Sequence, residues 1–296
     1  MKRICYILCY SVTWLTCYYS VQAQSHEWWA ENVQWDGITH WSRYITTSAG
    51  ALGPNGLPIP SLSSGTVLNQ NYLAFTGNVH VKEGDPTSNP ALYGNFALVA
   101  DKVSFDFYWV PIELFNPSHE VKTERNVFHE YYNVKHATGD IYLNTRVQLL
   151  NRDRIKLALR IGYKFATSNK LGAARFTDSP GYYFDLSINH SSNLSSGSRL
   201  AWIGMLGFYA WQTNKPHLLQ DDALLAGIGL RWTVKKWETE GSMRTYVGYM
   251  NNGDQPMVLL TRTKYRIGKV QLLGSLQFGL HDYPYTSIET GVFYHL

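Results

Sequence analysis

The sequence predicts an all-β chain: a transmembrane antiparallel up-and-down β-barrel of about twelve strands, preceded by an irregular N-terminal arm. Three observations predict it: apolar residues at every second position, connections that alternate short and long, and aromatic residues grouped at both ends of the segments. The alternation is cleanest in four places. Lys269–His281 sets Val270, Leu272, Leu276, Phe278 and Leu280 against Lys269, Gln271, Ser275, Gln277 and His281. Arg154–Phe165 sets Ile155, Leu157, Leu159, Ile161 and Tyr163 against Arg154, Lys156, Arg160 and Lys164. Asp140–Leu149 repeats the pattern, and the last residues place Ile288, Thr290, Val292, Tyr294 and Leu296 opposite Ser287, Glu289, Gly291, Phe293 and His295. Period two is the strand signature. A strand with one apolar and one charged face needs two solvents.

The N-terminus reads as a leader. Met1-Lys2-Arg3 is basic, Ile4 to Tyr19 is largely apolar, and Val21-Gln22-Ala23 ends in a small residue, the pattern of a secretory signal peptide cleaved after Ala23. An acylated Cys17 is the alternative, but Trp14, Leu15 and Thr16 are too bulky for that signal. The organisation expected is therefore a signal peptide over 1–23, an arm over 24–69 and a barrel over 70–296. All three cysteines (Cys5, Cys9, Cys17) fall in the leader, so the exported part is expected to have no disulfide, Cys-metal site or thiol nucleophile. A formal charge of +4, reduced further once Lys2 and Arg3 are removed, gives no reason to expect a nucleic-acid partner. Outside the leader no apolar run is long enough for a transmembrane helix.

Connections at Ala100–Lys102, Asn151-Arg152-Asp153, Lys235-Lys236 and Ile267-Gly268-Lys269 are tight. Those at Pro111–Gly139, Thr167–Pro180, Thr213–Asp222 and Asn251–Gln255 are expected to be looser. Short turns on one side and longer loops on the other are what bacterial membrane barrels show. On the apolar parity, Trp109, Tyr163, Phe165, Tyr182, Phe184 and Tyr249 fall at one end of the segments. Trp202, Trp232, Trp237, Tyr265 and Tyr294 fall at the other, as two interfacial girdles require. The arm differs. Trp28-Trp29, Trp35 and Trp41, followed by Gly53-Pro54-Asn55-Gly56-Leu57-Pro58-Ile59-Pro60, forbid regular structure but are too aromatic for a disordered tail. It is expected to pack in the barrel as a plug, or to lie beneath it as a periplasmic segment.

The leader, cysteine-free body, alternating strands and apolar last strand together resemble the Gram-negative outer-membrane β-barrel class, over roughly residues 71–296. The resemblance implies a location in the outer membrane, contact with outer-membrane lipid, and recognition by the barrel-assembly machinery. Tyr294 and the alternation before it resemble the signal that machinery reads, although the chain closes on Leu296 rather than Phe or Trp. The class hosts channels, enzymes and adhesins, so function must come from a site.

The strongest chemical signal is charge on the inward parity. Arg146, Arg154, Lys156, Arg160, Lys164, Arg231, Arg244, Arg262, Lys264, Arg266 and Lys269 stand against Asp106, Asp140, Asp185, Glu238, Glu240 and Glu289. Around Asn252 a simple hairpin would set Glu240 opposite Arg266 and Arg244 opposite Arg262. Two readings follow. One is a narrow constriction, with Arg160, Arg244, Arg262, Lys264 and Arg266 as its main cations and Glu238 and Glu240 beside them, passing small or anionic solutes. The other is a plugged, salt-bridged scaffold that works with partner outer-membrane proteins. Neither needs a cofactor or metal. A competing class rests on His190-Ser191-Ser192-Asn193, which resembles the His-x-Ser-Asn motif of outer-membrane phospholipase A and lipid A deacylases. It would make His190 a base and Ser192 a nucleophile on the lipid face. The group to orient His190 is missing from the next strand, and the motif falls at a tight turn. Finally, His119, His129, His136, Glu120, Glu124 and Glu130 crowd the long loop, but His129-Glu130 lacks the second histidine of a zinc-protease helix, so a charged lid is expected.

Overall fold

A computed structural model describes residues 27–128, 134–194 and 197–296. The leader with its cleavage site, His129-Glu130 and Ser195-Ser196 lie outside the described residues. The strands are β1 (Tyr72–Val81), β2 (Thr87–Val99), β3 (Val103–Trp109), β4 (Glu113–Phe115), β5 (His136–Ala137), β6 (Ile141–Asn151), β7 (Ile155–Lys164), β8 (Gly181–Asn193), β9 (Ser198–Lys215), β10 (Leu218–Val234), β11 (Trp237–Val247), β12 (Met257–Ile267), β13 (Val270–His281) and β14 (Thr286–His295). Helix α1 covers 27–33, and α2 (His119–Glu124) lies in the loop between β4 and β5.

Twelve antiparallel strands make a closed wall. Closure is by β1, which pairs with β2 on one side and with β14 on the other, from Tyr72↔His295 to Val81↔Thr286. The short strands β4 and β5 extend the edge of β2 beyond the wall. The rim holding Tyr72 and His295, here the near rim, has connections 100–102, 152–154, 194–197, 235–236 and 268–269. The opposite, far rim carries the long connections 110–140, 165–180 and 248–256 and the short ones 82–86, 216–217 and 282–285. The expected loop over Thr213–Asp222 is instead strand: β9 and β10 run on past their neighbours to a turn at Pro216-His217. They can do so because Lys215 Nζ donates to the Arg43 carbonyl and the Arg43 guanidinium to that of Asn214, so the arm backs the ribbon.

The wall is inside-out relative to a water-soluble sheet. Along β8, Tyr182, Phe184, Leu186 and Ile188 are exposed while Tyr183, Asp185, Ser187 and Asn189 are buried. The same inversion runs through β13 and β14, where Leu272, Leu276, Phe278, Ile288 and Val292 are exposed. Water would not tolerate such a band, but hydrocarbon favours it, and closure leaves no backbone edge unpaired in lipid. Tyr163, Phe165, Tyr182, Phe184 and Tyr249 ring the far end; Trp202, Trp232, Trp237 and Tyr294 ring the near end. Placing a charge in the middle of that band should cost about 2–4 kcal/mol. Leu186→Arg is expected to lose that much in denaturant-titrated folding into lipid vesicles, while a charge at inward Ser187 should lose through packing instead.

Candidate functional site

The arm lies inside the barrel and can be followed from rim to rim by its hydrogen bonds. At the far end, Trp29 Nε1 donates to the Asn126 carbonyl (3.1 Å) and Asn126 Nδ2 to that of Tyr44 (3.0 Å). Next, Trp211 Nε1 donates to the Thr47 carbonyl (3.0 Å) and the Gly50 amide to that of Gly253 (2.9 Å). Deeper in, Tyr246 OH reaches the Leu57 carbonyl (3.1 Å) and Arg160 Nη1 reaches Ser61 Oγ (3.3 Å). At the near end, the Val67 amide donates to Gln148 Oε1 (2.7 Å) and Asn95 Nδ2 to the Gln70 carbonyl (2.9 Å). Ile45, Leu52, Leu57, Ile59 and Leu62 are buried in one cluster with Tyr142, Tyr183, Ile203, Met205, Tyr209, Leu225 and Tyr246 of the wall, and Val67 is buried nearer the near rim. Proline and glycine suit this path, since a segment in irregular conformation can satisfy its backbone from the wall rather than from itself.

A charged clasp fixes the arm at the far rim. Arg175, fully buried in the 165–180 loop, donates through Nε to Glu113 Oε1 (2.7 Å) and through Nη1 to both oxygens of Asp85 (2.9 and 2.8 Å). Asp85 also accepts from Arg125 Nη1 (2.7 Å) and Tyr285 OH (2.5 Å). The guanidinium lies over the Phe115 ring (4.4 Å), and a Cβ built on Gly53 would sit 2.6 Å from it. Glycine at 53 therefore lets the arm backbone lie flat on Arg175. Asn55 Nδ2 completes the join by donating to Glu113 Oε2 (2.6 Å).

Below the arm is a cavity of about 440 Å³, roofed by Pro54, Pro58, Ile59, Ser61, Leu62 and Ser64 and reaching Arg266, Gln271 and His295 at the near rim. Most inward charges meet a partner. Arg146 pairs with Asp106 (3.0 Å), Arg160 with Asp185 (2.6 Å), Lys164 with Asp140 (2.6 Å), Arg231 with Glu240 (2.6 Å) and Arg262 with Glu289 (3.4 Å). Part of this is one row across the wall, since register places Arg231, Glu240, Arg262, Ser275 and Glu289 side by side on β10 to β14.

Of the candidate constriction residues, Arg244, Arg262, Lys264, Arg266, Glu238 and Glu240 all line the cavity. Arg160 does not, being enclosed by Asp185, Ser61, Met205 and the Tyr183 ring (5.1 Å), where it anchors the arm. The hairpin register also needs correcting. Glu240 opposes Arg262, Glu238 opposes Lys264 and Arg244 opposes Val258. The 248–256 loop is not a symmetric turn about Asn252: the Asp254 carboxylate accepts from the Met250 amide (2.7 Å) and the Asn252 amide (3.3 Å), folding the loop back on itself. Arg244 thus has no cation opposite it; its Nη2 reaches across to Gln277 Oε1 (2.7 Å).

His190 and Ser192 share the outward face of β8 at its near-rim end. Across the ladders His190 faces Ile155 and Trp202, and Ser192 faces Leu200. None of these can orient an imidazole, which a serine nucleophile's base requires. In the long far loop, His119 starts α2 and His136 sits in β5. Among the described residues no three His, Cys, Asp or Glu side chains converge as metal ligands.

Sequence reasoning missed the clasp and an inward aromatic row. Tyr72, Phe293, Tyr93 and Tyr108 lie ring to ring along β1, β14, β2 and β3 with centroid separations of 5.2, 6.5 and 4.9 Å, and they line the cavity. Their parity is legible from the strand pattern. The clasp carries no comparable signal, since Asp85, Arg125 and Arg175 are loop residues of a type ordinarily solvated.

No family model matches the chain, and no curated protein matches its sequence. Solved structures do resemble it. An outer-membrane channel from Pseudomonas putida F1 is similar with a TM-score of 0.50 at 11% identity, covering 82% of this chain and 97% of that one. The translocator domain of the autotransporter NalP from Neisseria meningitidis gives 0.44 at 13% identity, covering 77% and 89%. The beta domain of a Bordetella autotransporter gives 0.45 at 10% identity, covering 77% and 100%. The likeness is one of fold. It shows a closed antiparallel β-barrel, the architecture of that outer-membrane channel.

Proposed function

We propose that this chain is an outer-membrane barrel held shut by its own N-terminal arm, so that its lumen is a cup open at the near rim rather than a through-channel. The observation that carries the reading is the unbroken series of arm contacts from Trp29 at the far rim to Gln70 at the near rim. Of the two readings the inward charge allowed, this favours the plugged barrel. Much of the charge is spent in ion pairs, and Arg160 holds the arm itself.

All five near-rim connections are tight and the three long ones lie on the far rim, so by the rule for such barrels the near rim faces the periplasm. The far rim then faces outward, and with it residues 27–50. The arm is therefore a thread through the lumen, with its aromatic start on the cell surface and its end at the foot of β1. Solute passage would require the arm to move, and partners would meet the outer segment or the cup. Purified protein in planar bilayers should show no resolved openings. An epitope inserted beside Ile38, which is 90% exposed, should be bound by antibody on intact cells. Steady open-channel current, or an epitope reached only after the outer membrane is permeabilised, would refute the reading.

A further inference from the structure

We propose that the cup beneath the arm is a binding site for a small organic anion, one carrying a carboxylate or phosphate on a flat apolar body. The inference deepens the plugged-barrel reading and rests on it, because a cup closed from above retains a ligand where a pore would pass it.

The first support is unmatched charge. Arg146, Arg231 and Arg262 of the cavity wall have carboxylate partners, whereas Arg244, Lys264 and Arg266 have none within ion-pair distance among the described residues. Against these three, Glu238 is the one carboxylate of the lining likewise outside any ion pair. Arg244 is the decisive residue. It is 6% exposed, a single Nη2 hydrogen bond goes to a neutral amide, and its buried Nε has no partner. A guanidinium carries five donors in a plane and is costly to bury uncompensated. An oxyanion would take the open donor and balance the charge, as in charge-assisted pairs. Arg262 adds a second buried Nε without a hydrogen-bond partner on the same cavity wall. These cations come from β11 and β12.

The second support is the chemistry of the remaining wall. The row Tyr72, Phe293, Tyr93 and Tyr108 supplies ring surface, and Lys264 Nζ stands 4.7 Å over the Phe293 ring, bridging the cationic and aromatic sectors. A volume of about 440 Å³ is in the range of small-molecule sites. A hydrated inorganic ion would leave the rings unused, and a neutral apolar molecule would leave Arg244 uncompensated.

Calorimetry on the full exported chain in neutral detergent and low-chloride buffer tests this with benzoate, benzamide and inorganic phosphate as probes. Benzoate should bind, with benzamide and phosphate each at least about tenfold weaker, the scale of one lost charge-assisted bond. Arg244→Gln and Lys264→Gln should each weaken benzoate by a similar factor, while Lys236→Gln, in a near-rim turn outside the cavity, should change nothing. Folded variants are identified by heat-modifiable migration, so two independent substitutions guard against one that fails to fold. Equal benzoate and benzamide affinity, no benzoate binding, or benzoate binding unchanged in both folded variants would overturn the proposal. Phosphate binding tightest would overturn the aromatic half and leave a compact-anion site. Because none of these readings involves conductance, a silent barrel that fails to bind would sink this inference alone.

Discussion

Removing residues 27–66 should convert a silent barrel into one that shows discrete conductance steps in planar bilayers. The wall closes without the arm, since all its ladders run strand to strand and β1 pairs with both β2 and β14. What the arm supplies is the filling. Ile45, Leu52, Leu57, Ile59 and Leu62 are each buried in the lumen, and burial of such side chains contributes about 1.5–3 kcal/mol apiece, an upper bound. Summed with its hydrogen bonds, that seat is too deep for spontaneous release, so wild-type silence should persist under modest voltage. A point variant provides the same test with the chain intact. Gly65 has φ +64, and a Cβ there would lie 2.8 Å from the Asn189 amide nitrogen and 2.9 Å from the Ser187 carbonyl, both wall backbone that cannot swing aside. Gly65→Val should therefore unseat the lower arm and give intermittent openings. Silence in both variants, with heat-modifiable folding retained, would mean that side chains alone close the lumen.

The cations remaining in the cup predict the character of that current. With Arg244, Lys264 and Arg266 lacking carboxylate partners, the opened barrel should prefer anions, and Arg262→Glu in the same background should reduce the preference. The anionic-solute reading of the lumen charge thus becomes testable once the arm is out.

The barrel was legible because lipid on one side and a polar lumen on the other act on every strand independently. Each of β7, β8, β13 and β14 repeats the message in its own alternation, so an error in one strand does not spread. Inward charge was legible for the same reason: five of the cations and five of the acids assigned inward meet as pairs. What parity cannot give is register, because a shift by an even number of residues leaves every side chain on its face. The β11–β12 pairing shows this, having moved by such a step under the control of Asp254 in a loop. Nor can parity follow a segment with no repeat. The arm's composition marked it as ordered, but its direction through the lumen depends on long-range partners, from Asn126 to Gln148, which no local pattern encodes.

Arg175→Ala should release the far-rim clasp at a cost of about 3–5 kcal/mol, the penalty for stranding a buried charge. Glu113 is fully buried and would keep only the Asn55 amide, while Asp85 would keep Arg125 and Tyr285. The arm would lose the guanidinium against which Gly53 lies. Protease should then cut the 165–180 loop and the outer arm while the barrel stays resistant. Acid should mimic the variant. Burial pushes the Asp85 carboxyl up, but Arg175, Arg125 and the Tyr285 hydroxyl together outweigh it and hold its pKa below the ordinary 3.8. A carboxylate with a depressed folded pKa contributes stability that is present above its unfolded value and lost as pH falls through the folded one. Protection of the loop should accordingly be flat from neutral pH to about pH 4, the unfolded carboxylate range, and fall below it. Asp85→Asn should be weaker at neutral pH and flat through that acid window. If wild type and Asp85→Asn lost protection along the same acid curve, the clasp would owe its pH response to another group.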